Sequence, residues 1–116
     1  MEQYIKDQKV ICQKKGVVCT EFNPNLKIGI SDEVLIGLLP IHGLRHPPEG
    51  NTSGWYIWAG DKFSESEDFF KPYCIKHLFD KKSEIIKYLG LPAGYRFLID
   101  NKGYEDIWFD EKLLDI

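Results

Sequence analysis

Cysteine is scarce in this sequence, and the few cysteines present form no recognisable framework. The three of them, Cys12, Cys19 and Cys74, are odd in number and show no C-x-x-C spacing. A small domain held by disulfides carries an even set of cysteines, and a structural zinc site needs paired ligands at short spacing. The sequence therefore predicts reduced thiols, as in the cytoplasm, and neither a metal ion nor another cofactor.

A basic excess is also missing. The chain has 15 Lys and Arg residues against 18 Asp and Glu residues, which gives a formal net charge of -3 and a pI near 5.6. Proteins that bind nucleic acid need surplus cations to neutralise phosphate groups. The composition therefore argues against nucleic acid as a partner.

No long hydrophobic run is present. The longest run lies near residues 34–41, which is far shorter than the ~20 residues that a membrane-spanning helix needs. Met1 is followed by Glu2, Gln3 and Tyr4, unlike the cationic and then apolar start of a secretory leader. We expect a cytoplasmic protein that does not bind a membrane.

The sequence does contain enough apolar material for one core. It has 116 residues, of which 43% are hydrophobic. A chain of this length buries roughly two-thirds of the surface that it exposes when unfolded. We predict a single domain over residues 1–116, with a helix and a strand within residues 1–31.

The first half of the chain predicts one helix and several short extended segments. Glu2 to Lys15 has helical apolar spacing, and Gly16 is suited to end the helix. Val17 to Thr20 is rich in β-branched side chains and predicts a short strand, and Leu26 to Ile30 predicts further extended structure. The run from Val34 to Ile41 fits either a buried strand or one or two helical turns, and we favour the strand.

The middle of the chain predicts a long loop followed by an interior strand. Gly43 to Gly54 contains Pro47, Pro48 and several turn-forming residues, which predict irregular backbone up to Trp55. Trp55 to Ala59 is apolar at both alternating positions. Both faces of this strand are therefore expected to be covered, as in the centre of a sheet.

The second half predicts two helices and a hairpin. Pro72 is suited to the first turn of one helix, and Glu84 to Leu89 carries the inward apolar stripe of another. Tyr95 to Ile99 and Tyr104 to Phe109 flank a turn that contains Gly103, which predicts two antiparallel strands. The predicted fold class is α+β, a mainly antiparallel sheet with two to three helices packed on it.

Polar side chains gather in the proline-containing loop, namely His42, Arg45, His46 and Glu49. A metal site is not favoured, because Pro47 keeps His46 out of the helical region and no third ligand is fixed by spacing. Arg45 and His46 could bind an anion together with nearby backbone N–H groups. The remaining interpretation is structural, with Arg45 paired to a carboxylate such as Asp61 or Asp68.

Acidic side chains near the C-terminal end form the second candidate set. Glu105 and Asp106 are neighbours on a predicted strand, so their carboxylates point to opposite faces and cannot act on one substrate. Asp106 lies between Tyr104 and Trp108, where an exposed acid suits a binding rim. No serine or cysteine has the surroundings of a catalytic nucleophile, so we do not expect an enzyme.

Four stretches together resemble a family of small bacterial proteins. In chain order they are GLRHPPEGNTSGWYIWAG, FFKPYCIKHL, YLGLPAGYRFLID and YEDIWFD. On these motifs the chain is similar to the immunity protein 33-like domain family of polymorphic toxin systems, over about residues 32–114. The resemblance implies a small cytoplasmic protein that protects its producer by binding a cognate toxin, and it supplies no catalytic residues.

Two functional hypotheses follow. The first is a non-enzymatic immunity protein that neutralises a toxin by direct binding, with acidic side chains facing basic toxin groups. Its candidate contact residues are Arg45, His46, Glu49, Glu105, Asp106 and Asp110. The alternative is a small-molecule or anion-binding domain, or a minor enzyme, that uses the loop around Arg45 and His46.

Overall fold

The fold combines one sheet with short helices. The computed structural model describes residues 2–20, 23–61 and 68–115. The α-helices are Glu2–Lys14 (α1), Asp32–Leu35 (α2) and Leu78–Lys81 (α3), and 3₁₀ helices lie at Ile75–His77, Ser83–Tyr88 and Glu111–Leu114. The strands are Lys27–Ile30 (β1), Ile41–Arg45 (β2), Thr52–Ala59 (β3), Lys71–Cys74 (β4), Tyr95–Ile99 (β5) and Glu105–Phe109 (β6). None of the helices in these ranges has the length and apolar character to cross a membrane.

All six strands form one sheet in the order β4-β1-β3-β2-β5-β6. Only the β1–β3 pair is parallel, and the other four pairs are antiparallel. The predicted α+β class is therefore confirmed, as is the interior position of the strand that contains Trp55–Ala59. The predicted hairpin is also present, with Ile99 opposite Glu105 across β5 and β6.

The three α-helices and the Ser83–Tyr88 helix pack against one face of the sheet, which we refer to as the core face. Trp55, Ile57 and Phe97 point to this face and are almost fully buried. Side chains from each α-helix and from the Ser83–Tyr88 3₁₀ helix join the same cluster. The members contributed by these helices are Ile11, Cys12, Val34, Leu78, Ile85, Ile86 and Tyr88. Burial of each large apolar side chain stabilises the fold by about 1.5–3 kcal/mol.

Gly43 allows the core to close over β2. A Cβ atom on Gly43 would overlap the ring of Phe97, the residue opposite it on β5. Because glycine leaves this space empty, the Phe97 ring lies across β2 and stacks on Tyr88 with ring centroids 4.6 Å apart. It also contacts Trp55, at a centroid separation of 5.6 Å.

The predicted N-terminal helix is present as α1, but the prediction of a strand at Val17 to Thr20 is wrong. Gly16 follows α1 with φ of +67°, a left-handed conformation that suits glycine. The N–H of Val17 bonds back to the carbonyl of Cys12, and the N–H of Thr20 bonds to Gly90. The segment from Val17 to Thr20 therefore joins α1 to the chain near Gly90 and does not pair with the sheet.

The predictions for residues 34–54 need correction. Val34 lies in α2 rather than in a strand, so the helical alternative was correct there, and extended structure starts at Ile41. The loop predicted from Gly43 to Gly54 is shorter, because β2 continues to Arg45 and β3 begins at Thr52. Pro47 and Pro48 interrupt the strand structure only within the turn of residues 46–51. The flanking residues keep their strand hydrogen bonds.

The role predicted for Pro72 is also wrong. Pro72 lies in β4, opposite Gly29, and not at the start of a helix. An edge strand tolerates proline because one side of its backbone has no partner strand. The helix predicted over Glu84–Leu89 is present as the Ser83–Tyr88 3₁₀ helix, and Ile85 and Ile86 are buried as its apolar stripe predicted.

Candidate functional site

Arg45 lies inside the protein and not on a loop surface. Its side chain points to the core face from β2, and the residue is 3% exposed. Burial lowers the pKa of the guanidinium to about 10, which leaves the group charged at neutral pH. The predicted surface position of Arg45 is therefore wrong.

Main-chain carbonyl groups hold the buried guanidinium. Nε donates to the carbonyl of Ser53 at 2.9 Å, and Nη1 donates to Leu91 at 2.7 Å and to Leu89 at 3.5 Å. The guanidinium carbon also lies 5.7 Å from the centre of the Trp55 ring. Arg45 thus connects β2 and β3 to the chain after the Ser83–Tyr88 helix, and it makes these contacts in place of the predicted carboxylate pair.

The other two loop candidates lie elsewhere. His46 follows Arg45 and points to the opposite face, where Nδ1 donates to the carbonyl of Leu113 at 2.9 Å. Its ring meets the edge of Tyr56 at a centroid distance of 5.6 Å. Glu49 is exposed, and its carbonyl accepts a hydrogen bond from the Thr52 hydroxyl at 2.8 Å. Arg45, His46 and Glu49 therefore do not converge on one site.

Glu105 has structural partners on the core face. It accepts hydrogen bonds from Lys14 Nζ at 2.8 Å and from the Tyr88 hydroxyl at 2.6 Å. Burial alone would raise the pKa of Glu105, but these two hydrogen bonds and the positive charges of Lys14 and Lys87 together hold the pKa below its ordinary value. Burial and the bond to Glu105 also raise the pKa of Tyr88. Glu105 thus ties β6 to α1 and to the Ser83–Tyr88 helix.

The remaining acids differ in exposure. Asp110 accepts from Arg96 Nη1 at 3.1 Å and from the Lys112 N–H at 3.1 Å, which caps the Glu111–Leu114 helix. Asp106 is exposed and points away from the core. Of the three predicted acidic contacts, Asp106 is the one most available to another molecule.

The face of the sheet opposite the core face carries a continuous set of side chains from four strands. Within residues 2–20, 23–61 and 68–115, α1, α2 and α3 all lie on the core face, and the Glu111–Leu114 helix borders the other face beside His46. We refer to this second face as the open face. Its residues are His42, Leu44, Tyr56, Trp58, Arg96, Leu98, Asp106 and Trp108.

One row of the open face crosses the middle of the sheet. Leu44 lies opposite both Tyr56 and Arg96, on the two strands that flank it. Arg96 in turn lies opposite Trp108, and its guanidinium carbon is 5.6 Å from the centre of that ring. The row therefore places an aliphatic side chain and a cation between two aromatic rings.

The second row is ordered by stacking. The His42 ring lies parallel to the Trp58 ring, with centroids 4.9 Å apart and an interplanar angle of 3°. His42 Nε2 donates to the carbonyl of Gly60 at 3.0 Å, which fixes the ring. Leu98 and Asp106 continue this row toward the sheet edge.

Tyr56 and Trp108 are the exposed anchors of the open face. Each is 37% exposed, whereas Trp58 is 6% exposed under its aromatic neighbours. Tyr, Trp and Arg are the residues that most often dominate the energetics of protein interfaces, because they bury a large area and also form polar contacts. The side chains of the open face are thus suited to binding another protein.

A small cavity adjoins the open face at β1. It has a volume of about 200 Å³, and Gly29, Tyr56, Phe70 and Pro72 contribute to its lining. Gly29 allows the Tyr56 ring to lie against β1, since a Cβ atom there would be 2.7 Å from Tyr56 Cδ1. Ligand pockets usually measure roughly 300–1,000 Å³. This cavity is better matched to one side chain of a partner than to a cofactor.

The open face was not predicted as a site from the sequence. Both sides of Trp55 to Ala59 were expected to be covered, which holds for Trp58 but not for Tyr56. The sequence did indicate this face, because alternate positions of the flanking strands include polar as well as apolar residues. On β5, for example, these positions are Arg96 and Leu98. A sheet covered on both faces is apolar at nearly every position, so polar residues at alternate positions indicate an uncovered face.

The arrangement offers little for metal binding or nucleophilic chemistry. Among the described residues, no three His, Cys, Asp or Glu side chains come close enough to hold a metal ion. All three cysteines are free thiols. Burial, together with the neighbouring Cys19 thiol, raises the pKa of Cys12 to about 12, so the Cys12 thiol is protonated at neutral pH.

Comparison with known proteins identifies one family. The family model described as the Imm33-like domain matches residues 7–110. The match confirms the family suggested by the sequence motifs, and it begins before the region assigned from those motifs. No curated protein and no solved structure matches this chain.

Proposed function

The chain belongs to the Imm33-like domain family, and on that premise we propose that it is a non-enzymatic immunity protein. It acts in the cytoplasm of the producing cell and neutralises a cognate toxin by direct binding. The family name supports the role of immunity. The open face supports binding as the way in which that role is carried out.

The observation that carries this proposal is the pair of exposed aromatic rings, Tyr56 and Trp108, on either side of Leu44 and Arg96. The rings and the guanidinium are already held by contacts within the sheet. A partner that docks there therefore loses little side-chain entropy of this protein on binding. Interface anchors of this kind each contribute about 2 kcal/mol or more.

Charge on the open face suits a basic partner. Asp106 is exposed beside Trp108, whereas the positive charge of Arg96 is already paired with Asp110. Complementary charges at an interface rim mainly raise the association rate. The role predicted for Asp106 in contacting the toxin is therefore retained in this proposal, and Arg45 and Glu105 act instead by supporting the sheet.

The test is protection of cells against the toxin encoded beside this gene. Co-expression of the wild-type chain is expected to restore growth, and the double variant Tyr56→Ala/Trp108→Ala is expected to lose protection. In purified form, each single variant should bind the toxin about 30-fold more weakly, which corresponds to about 2 kcal/mol. Circular dichroism must show that the double variant and the two single variants remain folded.

Ile36 supplies a matched control. It is an apolar residue that is 76% exposed, and it follows α2 rather than lying on the open face. Ile36→Ser should leave both protection and affinity unchanged. The proposed surface is wrong if Ile36→Ser abolishes protection while the Tyr56 and Trp108 variants retain it. Failure of the wild-type chain to bind the toxin or to protect cells would contradict the proposed function itself.

A further inference from the structure

Within the part of the chain that the structure describes, β6 has a partner strand on one side of its backbone and none on the other. It is the last strand in the sheet order, and its neighbour there is β5. The N–H of Asp100 donates to the carbonyl of Tyr104, and the N–H of Asp110 donates to Gly94, at the two ends of the β5–β6 ladder. Even-numbered residues of β6 therefore bond to β5.

Odd-numbered residues of β6 consequently direct their backbone groups away from the sheet, because antiparallel pairing alternates between bonded and unbonded residues. These residues are Glu105, Ile107 and Phe109. The neighbouring strand pairs show the same alternation, since the N–H of His46 donates to the carbonyl of Gly54 between β2 and β3. The edge thus presents three N–H groups and three carbonyl groups along one strand.

The two edges of the sheet differ. The other edge strand, β4, contains Lys71 and Pro72, which are residues that commonly protect a sheet edge from further pairing. In β6 the sequence is EDIWF, which lacks lysine and proline and carries both of its acidic residues at the start of the strand. The edge at β6 is therefore the less protected of the two.

We propose that β6 pairs with β6 of a second copy of this chain, antiparallel and centred on Ile107, so that two sheets join into one twelve-stranded sheet. In this register Ile107 faces Ile107 of the second copy, and Glu105 faces Phe109. All of these residues direct their N–H and carbonyl groups outward, so the pairing forms about six hydrogen bonds. The two open faces become one continuous surface.

The charges of β6 select this register. With Ile107 at the centre, Asp106 faces Trp108 of the second copy, so no acid lies opposite another acid. A shift of the register in one direction places Asp106 opposite Asp106, and a shift in the other direction places it opposite Asp110. Like charges directly opposite each other destabilise a strand pair. In this register β6 thus pairs with itself without placing like charges opposite each other, which is the argument for a second copy as the occupant.

The first test removes one outward N–H group. Phe109→Pro eliminates the donor, and Phe109→Ala removes the same aromatic ring but keeps the donor. The dimer dissociation constant should be about 30-fold higher for Phe109→Pro than for Phe109→Ala. The proline variant loses two hydrogen bonds per dimer, and the loss of each raises the constant about fivefold. Sedimentation equilibrium of the purified chain from about 5 μM to about 500 μM measures this difference.

The second test changes charge and leaves the backbone intact. Trp108→Lys places a cation opposite Asp106 of the second copy, Trp108→Glu places a carboxylate there, and Trp108→Gln serves as the neutral reference. We expect the dimer dissociation constant to fall about tenfold for the lysine variant and to rise about tenfold for the glutamate variant. The same changes at Tyr56, which is equally exposed but lies on β3, should have no effect.

The outcomes decide the proposal without the toxin. Concentration-dependent dimerisation that responds to both tests supports it. A chain that sediments as a monomer up to about 500 μM contradicts it, as does a dimer that is insensitive to the Phe109 and Trp108 variants. Thermal unfolding of each variant identifies any that fails to fold, and the charge series remains decisive if Phe109→Pro does so.

Discussion

Replacement of Arg45 by lysine should destabilise the protein although it keeps the positive charge. The guanidinium makes two short hydrogen bonds, to the carbonyls of Ser53 and Leu91, in directions that a single ammonium group cannot both reach. Lysine would also carry a more strongly hydrated charge into the same buried space. The positive charge that lysine retains must therefore still be desolvated. The two hydrogen bonds that offset this cost for arginine cannot both form.

The size of the effect follows from these contacts. Each hydrogen bond from a charged donor contributes about 1.5–3 kcal/mol, and removal of one partner from a buried charged contact costs about 3–5 kcal/mol. We expect Arg45→Lys to lower the free energy of unfolding by about 3 kcal/mol. Arg45→Met should be no more destabilising, because methionine fills the space and removes the buried charge.

Equilibrium urea unfolding at pH 7, followed by circular dichroism, measures these values. Lys71→Met is the control, since Lys71 forms an exposed ion pair with Asp32, and the loss of such a pair should leave the free energy of unfolding almost unchanged. If the free energy of unfolding of Arg45→Lys lies within about 1 kcal/mol of the wild-type value, a positive charge alone is sufficient at this position. The reasoning that the two directed hydrogen bonds of the guanidinium stabilise the fold is then refuted.

Three further outcomes are expected. Because the pKa of Glu105 is depressed in the folded protein, its contribution to stability should be present at neutral pH and lost as the pH falls below the ordinary pKa range of a glutamate carboxyl, and Glu105→Gln should flatten this part of a thermal-unfolding pH profile. Gly43→Ala should destabilise the protein by about 2 kcal/mol or more through overlap with Phe97, and a second change, Phe97→Leu, should recover part of the loss. Cys19, which is only half-buried, should react with iodoacetamide before Cys12 does, as mass spectrometry of the alkylated native protein can show.

Local patterns in the sequence predicted those elements whose signals are themselves local. Helix α1 ends at a glycine with positive φ, and the β5–β6 hairpin turns through Gly103, which also has positive φ. Trp55 to Ala59 is apolar at both alternating positions and lies inside the sheet. In these cases neighbouring residues and the final structure favour the same conformation.

Elements that depend on distant contacts were not predictable in the same way. Gly43 belongs to a strand because the Phe97 ring needs the space beside it, and no pattern near Gly43 contains that information. Arg45 is buried because carbonyls about forty-five residues away accept its hydrogen bonds. The open face likewise consists of pairs of residues from four separate strands, and it exists only once the strand order is known.

The parallel pairing of β1 with β3 affects the order in which the sheet can form. Strands β2 and β3, like β5 and β6, are joined by short connections, whereas Lys27 must find Thr52 across the whole intervening chain. Closing a longer loop costs more chain entropy, and this entropy is lost before the contacts between the two strands form. The two hairpins can therefore act as early nuclei, and β1 joins later with β4 on its far side. The amides of Lys27 and Ser31 donate to the carbonyls of Asn51 and Ile57, on the β3 side of β1. In pulse-labelling hydrogen exchange, they should gain protection after the amides of Leu44 and Tyr56, which lie opposite each other across β2 and β3.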